Sequence, residues 1–318
     1  MHAAVVSSFD APPRYDVIAS PTATSDHDVV VDVIASGLHP RVRSQAGGSH
    51  YTSTDELPLV PGIDGVGRTA SGELRYFILE DTTMGAMAEQ TVVDLRRSIP
   101  LADDADPIAI AAAMNPAMSS WVALRRRIDF AAGQSVLVLG ATGSAGQLAV
   151  QVAKHLGAGR VVAAGRHEAR LAGLAALGAD EVVSLRGEPD DVARRLGEAA
   201  ADVDVVIDYI WGQPTADAMV AIAMNRSDRG KPITWIEIGS VAGRNAEIPS
   251  AVLRAARLTI VGSGQGSVPT SDIVAELPAL AAEIGRGAFA IDARAVPLSD
   301  VESAWLETNG ADRVVITP

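Results

Sequence analysis

The sequence predicts an α/β chain built around a doubly wound parallel sheet of six strands. Two observations carry this prediction. Short apolar runs alternate with helical segments from Ser135 to Gly262, which is the pattern of right-handed strand-helix-strand units. A glycine-rich turn also stands directly between the first of these strands and the first helix. The sequence pattern before Ser135 is different. Residues 1–110 contain β-branched runs separated by Gly and Pro, which is typical of strands and turns.

Size and composition are those of a globular chain with room for two domains. The chain has 318 residues, of which 48% are hydrophobic and 20% charged. Its net charge of −13 disfavours nucleic acid as a partner. The N-terminus has no leader pattern and no stretch reaches about 18 uninterrupted apolar residues, so no membrane span and a cytoplasmic location are expected.

The chemistry-bearing residue types narrow the reaction classes. The sequence contains no cysteine, which excludes disulfides, thiolate zinc sites and cysteine nucleophiles. Its 6 histidines show no HExxH or similar ligand spacing. We therefore expect no metal.

The elements can be assigned in chain order. The run DVVVDVIA (28–35) predicts a strand within the β-rich region, and IAIAAAMNPAMSSWVALRRRI (108–128) predicts helix interrupted at Asn115-Pro116. After Ser271 a helix (Ile273–Arg286) and a strand-helix-strand tail are expected. The six strands are predicted at SVLVLG (135–140), RVVAAG (160–165), EVVSL (181–185), DVVID (204–208), TWIEIG (234–239) and LTIVG (258–262), with helices at Ala145–Leu156, Glu168–Leu177 and Ala193–Ala199 among them.

The sharpest motif follows the first strand. In Gly140-Ala141-Thr142-Gly143-Ser144-Ala145-Gly146, the spacing GxGxxG is met at 141, 143 and 146, with Ala141 in the first position. Small residues allow a tight turn and close approach of a pyrophosphate to the backbone, and the N-terminus of the following helix attracts its charge. The motif predicts dinucleotide binding; the alternative is a glycine-rich turn without a nucleotide.

The end of the second strand indicates which dinucleotide. An NAD site usually has Asp or Glu about 20 residues past the glycines, to bind the ribose 2′-hydroxyl. Here the place is held by Gly165-Arg166-His167, and Arg170 follows one helical turn later. Guanidinium groups favour the 2′-phosphate of NADP(H). Alternatively, Glu168 serves the ribose of NAD.

Several further segments make the chain resemble the medium-chain dehydrogenase/reductase superfamily, in its zinc-free quinone oxidoreductase branch. They occur in the family's order along nearly the whole length. They are ASGLHPRVRSQAGG (35–48), LPLVPGIDGVG (57–67), GAMAEQTVV (85–93), SSWVAL (119–124), DVVIDYIWG (204–212) and the tail RVVITP.

The resemblance implies a split arrangement. Residues 1–113 and 263–318 would form a GroES-like β-barrel domain that takes the substrate, and residues 114–262 the Rossmann dinucleotide-binding domain inserted in it. Homodimers, often through the last sheet strand near LTIVG (258–262), are common in the family. The chain departs from the family in having His39 where zinc members carry Cys and quinone reductases often Asn, and in a shorter segment from Gly67 to Met84.

Candidate residues for the reaction come from the loops. Tyr51, in GGSHYTSTDE, is the first candidate proton donor, with a solvated loop tyrosine as the alternative. His39 is a candidate to hydrogen-bond the nicotinamide ribose or the substrate oxygen, or else a structural histidine. Asp64 either caps a turn or has a role at the site. Gly239-Ser240 and Gly262-Ser263 end strands at the ligand-binding edge, where they would contact the cofactor.

The expected function is reduction of quinones or activated double bonds by NADPH, with metal-free reduction of aldehydes or ketones as a close variant. Such acceptors are already electron-poor, so the protein mainly positions the reactants and stabilises the developing oxyanion. The alternative from another class is a non-catalytic NADPH-binding sensor or structural protein, because function depends on the site and not on the fold.

Overall fold

The computed structural model describes residues 1–307 and 312–318, and the chain divides into two compact units. Unit 1 comprises Met1–Asn115 and Thr270–Pro318, and unit 2 comprises Pro116–Pro269. The assignment of a substrate domain to 1–113 and 263–318, and of a dinucleotide domain to 114–262, stays a prediction, and residues 308–311 of it lie outside the described residues.

Strands and short helices form unit 1. Its elements are β1 (His2–Val5), β2 (Arg14–Val17), β3 (Asp28–Gly37), α1 (Pro40–Ala46), β4 (Asp64–Thr69), β5 (Leu74–Ile78), β6 (Gln90–Asp94), β7 (Ser98–Pro100) and the first part of α2 (Pro107–Val122).

Unit 2 contains the rest of α2 and alternating strands and helices. These are β8 (Ser135–Leu139), α3 (Ser144–His155), β9 (Arg160–Gly165), α4 (Glu168–Gly173), β10 (Glu181–Ser184), α5 (Pro189–Ala200), β11 (Val205–Asp208), α6 (Gly212–Asn225), β12 (Ile233–Glu237), α7 (Ser250–Ala255) and β13 (Leu258–Gly262). The chain then completes unit 1 with α8 (Thr270–Gly285), β14 (Ala293–Pro297), α9 (Val301–Leu306) and β15 (Arg313–Thr317).

The sheet of unit 2 has the order β10-β9-β8-β11-β12-β13, and every neighbouring pair is parallel. This confirms the predicted doubly wound α/β fold. The chain runs outward from β8 to β10 and then returns to the other side of β8, so the strand order reverses between β8 and β11. Open parallel sheets bind ligands at the carboxyl end of such a switch point.

Apolar side chains hold this sheet between its helices. Leu137, Leu139 and Val206 are fully buried on the central strands. They belong to one cluster with Leu196 of α5 and Trp235 of β12. The continuous apolar runs at the centre of the sheet therefore correspond to strands covered on both faces.

The main sheet of unit 1 has the order β14-β15-β3-β4-β5-β7, with β6 pairing to β3. Its pairs are antiparallel except β14 with β15. The predicted strand at 28–35 is β3, and the predicted strand-helix-strand tail is β14, α9 and β15. The sequence missed α1, which begins with Pro40 in its first turn and buries Val42 and Ala46.

The predicted interruption at Asn115-Pro116 is wrong, because α2 runs through Pro116 and continues as a π-helical turn to Arg127. Proline removes one backbone hydrogen bond, but burial of apolar residues on α2 offsets that loss. Pro107–Arg127 is also the one described helix long and apolar enough to cross a membrane, and 67% of its most apolar window is buried, as in a core helix.

Candidate cofactor and active site

The predicted glycine turn joins β8 to α3. Gly140 has φ of +85°, a conformation that glycine adopts without strain. The N–H groups of Gly140 and Ala141 both donate to the Ala164 carbonyl at 2.9 Å, which fixes the turn against β9. Gly143 precedes α3 and offers no capping side chain, so the N-terminus of this helix presents backbone N–H groups from Ser144 onward.

Close packing explains the glycine at 146. A Cβ on Gly146 would lie 2.2 Å from the Gly140 oxygen and 2.6 Å from the Ala141 Cα. Ala145 lies in the same first turn of α3. The bare backbone therefore leaves a concave turn at a helix N-terminus, which fits a pyrophosphate. The donor set matches a dinucleotide, and these residues would hold its phosphates.

Basic side chains gather at the end of β9. Gly165 packs so closely on Thr142 that a Cβ would meet its Cγ2 at 2.6 Å. Arg170 donates to the Thr142 carbonyl at 3.3 Å. His167 is the N-cap of α4 and accepts from the Arg170 N–H at 3.4 Å, while Arg166 is exposed. Glu168 accepts a hydrogen bond from Ser184 at 2.6 Å, so its carboxylate is engaged at β10.

A cavity of about 330 Å³ lies over the carboxyl ends of β8 to β11. This volume is in the range of ligand sites, which run from about 300 to 1,000 Å³. Part of its wall comes from predicted residues: Thr142, Gly143, Gly165 and Arg166. The rest of the wall is mostly apolar and was not named from the sequence; it includes Leu185, Gly187, Pro189, Val192, Leu196, Ile210, Pro214, Val241 and Ala242. One carboxylate, Asp217 on α6, also lines the cavity and accepts a hydrogen bond from Gln213 at 2.8 Å. A largely apolar slot with Arg166 at its wall suits an adenosine that carries a phosphate.

The other predicted glycines and serines end β12 and β13. A Cβ on Gly239 would lie 3.1 Å from the Tyr209 carbonyl oxygen, and Ser240 accepts from the Gly243 N–H at 3.2 Å. Ser263 donates its N–H to the Glu237 carbonyl at 2.8 Å, and Gly262 accepts from Arg127 at 2.7 Å. These positions share the carboxyl edge with the glycine turn, but they do not line the cavity.

Asp208, at the end of β11, is saturated by hydrogen bonds. Its Oδ1 accepts from the N–H groups of Ile210 and Trp211 at 2.8 and 3.1 Å. Its Oδ2 accepts from Thr215 at 2.6 Å and from the Trp235 indole at 2.9 Å. These bonds anchor the start of α6, where Trp211 adopts a φ of +49°. Asp208 is therefore a structural anchor for this edge.

In unit 1, His39 and Asp64 form a buried pair. The His39 Nε2 lies 3.1 Å from the Asp64 Oδ1, and the Tyr76 hydroxyl donates to the Asp64 Oδ2 at 2.9 Å. Asp64 is fully buried and begins β4, so its side chain binds these two partners instead of capping a turn. Burial lowers the pKa of His39, more than Asp64 raises it. His39 is therefore neutral, with its Nε2 hydrogen directed at Asp64.

Tyr51, unlike that buried pair, is exposed to solvent. Its side chain is 73% exposed, and its ring packs against His50 with 4.4 Å between ring centres. Within residues 1–307 and 312–318, no group of three or more His, Cys, Asp or Glu side chains is arranged to hold a metal ion. The roles of Tyr51 and His39 stay predictions.

Comparisons with known proteins agree with this geometry. A family model described as zinc-binding dehydrogenase matches residues 145–283. The chain is 32% identical, over 100% of both chains, to a probable NADPH-dependent quinone reductase of Emericella nidulans. It is 27% identical to an NADPH-dependent alkenal/one oxidoreductase of Arabidopsis thaliana, over 58% of this chain and 50% of that protein.

Solved structures show the same fold. The quinone oxidoreductase of Thermus thermophilus, solved also in complex with NADPH, superposes with a TM-score of 0.83 at 24% identity, over 100% of both chains. A probable oxidoreductase of Mycobacterium abscessus gives 0.80 at 24% identity, over 100% of this chain and 99% of that one. With a glycine turn, a doubly wound sheet and full-length similarity in agreement, this chain belongs to the medium-chain dehydrogenase/reductase superfamily, among its quinone oxidoreductase-like members.

Proposed function

We propose that this chain is an NADPH-dependent oxidoreductase that transfers hydride to a quinone, an enone or a related activated carbonyl compound, without zinc. The observation that carries the proposal is the cavity of unit 2, where the glycine turn and Arg166 face one apolar slot. Full-length similarity to a probable NADPH-dependent quinone reductase supports the same reaction.

Each part of this edge has a distinct task in the proposal. The backbone of residues 141–146 binds the pyrophosphate at the start of α3. Arg166, with His167 and Arg170 behind it, receives the 2′-phosphate, and the slot receives adenine. Gly239, Ser240, Gly262 and Ser263 border the nicotinamide. When bound, the reduced nicotinamide supplies the hydride.

The chain's remaining groups serve the acceptor. Neutral His39 directs its Nε2–H at Asp64. Its Nδ1 is therefore an acceptor, suited to a hydroxyl of the cofactor ribose or the substrate and not to deliver a proton. Tyr51 remains the proposed proton donor. The acceptor is already activated, so positioning and stabilisation of negative charge on oxygen supply most of the catalysis. We further propose that the protein acts in the cytoplasm, as a homodimer.

Arg166→Ala tests the proposal directly. Fluorescence titration should show NADPH binding weakened by about ten- to a hundredfold, since charge-assisted hydrogen bonds contribute about 1.5–3 kcal/mol. NADH affinity should stay within about twofold, because NADH lacks the phosphate. Arg254→Ala, on α7 and outside the cavity lining, is the matched control.

Turnover is measured in parallel by absorbance at the nicotinamide band with a panel of quinones and enones. Oxidation of NADPH by any acceptor supports the reductase. Tight NADPH binding without turnover over the whole panel would instead favour the non-catalytic binding protein. Absence of nucleotide binding in the wild type would contradict the assignment of Gly140–Gly146.

A further inference from the structure

A hydroxyl pair at the carboxyl edge of the sheet has no role in the site described above. The Tyr209 hydroxyl lies 2.8 Å from the Ser119 Oγ, and Ser119 donates its own hydrogen to the Pro116 carbonyl at 2.7 Å. Because a serine hydroxyl has one hydrogen, the phenol hydrogen must be the one shared with Ser119. The phenol oxygen of Tyr209 therefore keeps acceptor capacity for another partner.

Tyr209 lies at the switch point of the sheet. It follows β11 directly, and β11 pairs with β8, whose end opens the glycine turn. A Cβ on Gly140 would lie 3.2 Å from the Tyr209 Cβ, and one on Gly239 would lie 3.1 Å from its carbonyl oxygen. Tyr209 thus stands between the turn and the end of β12, in the place where doubly wound sheets bind their ligands.

The pair is also able to meet a ligand. Tyr209 and Ser119 are both partly buried, so neither residue is sealed in the core. Burial raises the pKa of Tyr209 to about 12, against the opposing effect of hydrogen bonds with Ser119 and Ser120. The phenol therefore stays protonated at neutral pH and offers a fixed hydrogen-bonding group rather than a proton.

The direction of the cofactor follows from the proposed function, on which this step rests. Arg166 and the slot at β9 and β10 take the adenosine half, and the glycine turn takes the pyrophosphate. The other half must then continue across β8 toward β11. We propose that Tyr209, oriented by Ser119, binds the nicotinamide riboside half of NADPH by accepting a hydrogen bond from one of its N–H or O–H groups.

Calorimetric binding of two ligands tests this assignment. NADPH carries both halves, whereas adenosine 2′,5′-bisphosphate carries only the adenosine half with its 2′-phosphate. Tyr209→Phe should weaken NADPH by about three- to tenfold, the usual range for one hydrogen bond, and leave the bisphosphate within about twofold. Unchanged NADPH binding, or equal weakening of both ligands, would overturn the proposal.

Ser119→Ala provides the second variant. It should weaken NADPH by less than Tyr209→Phe, and the double variant should match Tyr209→Phe alone, because the serine acts only through the phenol. Additive losses would contradict this dependence. Ser135→Ala is the control: it removes a hydroxyl bonded to Asp204 at 2.8 Å at the amino end of β8, and should leave both affinities unchanged.

An analogue identifies the donor. The 3-acetylpyridine analogue of NADPH lacks the carboxamide N–H groups but keeps both ribose hydroxyls. If the loss caused by Tyr209→Phe disappears with this analogue, the donor is the carboxamide; if it persists, the donor is a ribose hydroxyl. Wild-type protein that binds the bisphosphate but gains no affinity for NADPH would sink this inference alone, whereas binding of neither ligand would sink the proposed function.

Discussion

At the scale of the residue, Gly146 shows how one missing side chain makes the turn. Gly146→Ala would force a Cβ to within 2.2 Å of the Gly140 oxygen, so the turn or α3 must move. We expect NADPH affinity to fall by at least about tenfold and stability to fall by about 1–3 kcal/mol, the usual cost of overpacking. Titration and thermal unfolding measure the two effects.

Gly173 is the matched control for that substitution. It ends α4, and a Cβ there would meet nothing within 4 Å. Gly173→Ala should leave NADPH binding unchanged and add up to about 1 kcal/mol of stability, because alanine loses less backbone entropy on folding. If both variants bind NADPH like the wild type, close approach at Gly146 is not what the nucleotide requires.

The buried His39 should make the free energy of unfolding depend on pH. Burial lowers its pKa from 6.5, against Asp64 and together with Arg313 and Arg41. Below pH 6.5 the unfolded chain therefore binds a proton that the folded chain does not, so the free energy of unfolding falls as pH falls. Denaturant unfolding from about pH 7 to about pH 5 should show this decline, and His39→Asn should make it less steep, because the lowered pKa of His50 contributes a similar slope in both proteins. An equal slope in both proteins would contradict the neutral, buried imidazole.

Residues of the candidate site could be predicted only where binding a phosphate requires particular residue types at a particular spacing. The spacing of Gly140–Gly146 and the position of Arg166 after the second strand predicted a phosphate site, and residues of both line the cavity. Leu185, Val192 and the other apolar wall residues carry no such pattern, because any apolar side chain of fitting size serves. Tyr209 stood inside a quoted motif, but its hydrogen bond to Ser119 joins residues 90 positions apart.

At the scale of the element, periodicity predicted the sheet well and the helix ends poorly. Each of the six strands is a largely apolar run bounded by Gly or polar residues, so its position was readable. The helix predicted at Glu168–Leu177 ends at Gly173 instead, since the next residues form turns rather than a further helical period. The interruption predicted at Pro116 is absent because burial of the apolar residues of α2 outweighs the low helix propensity of proline.

The edge strand β13 carries the prediction of assembly. It pairs only with β12 in the described sheet, so its other edge is unpaired there. Ile260, in the middle of the strand, is 36% exposed. An apolar edge of this kind is a template for pairing with a second chain. Light scattering should give twice the 32.9 kDa chain mass for the wild type.

Ile260→Lys should shift that mass toward the monomer, because a charge on an edge strand opposes pairing. Lys231→Ala, on the loop before β12, removes an ion pair with Asp204 at 2.7 Å but no side chain of β13, and should leave the mass unchanged. A wild type that is monomeric at micromolar concentration would remove the homodimer from the proposal.

At the scale of the whole molecule, the protein and its proposed cofactor both carry net negative charge. A chain of net charge −13 repels the anionic cofactor at long range. In the proposed site, attraction would therefore come from local groups: Arg166, Arg170 and the N-terminus of α3. This difference between long-range and local charge explains why the net charge disfavoured nucleic acid as a partner but gave no information on a small phosphorylated ligand.

The separation into two units predicts which backbone amides cofactor binding protects from hydrogen exchange. Each unit has its own apolar clusters, so local opening in one need not open the other. NADPH at about a hundred times its dissociation constant should stabilise the binding-competent state by about 2.7 kcal/mol. In hydrogen exchange this gain should concentrate on amides of Pro116–Pro269, above all at the start of α3 and the ends of β8 and β9. NADH at the same concentration should protect the same amides less. Protection confined to Met1–Asn115 would place the nucleotide away from the glycine turn, and the functional assignment would have to be rebuilt from unit 1.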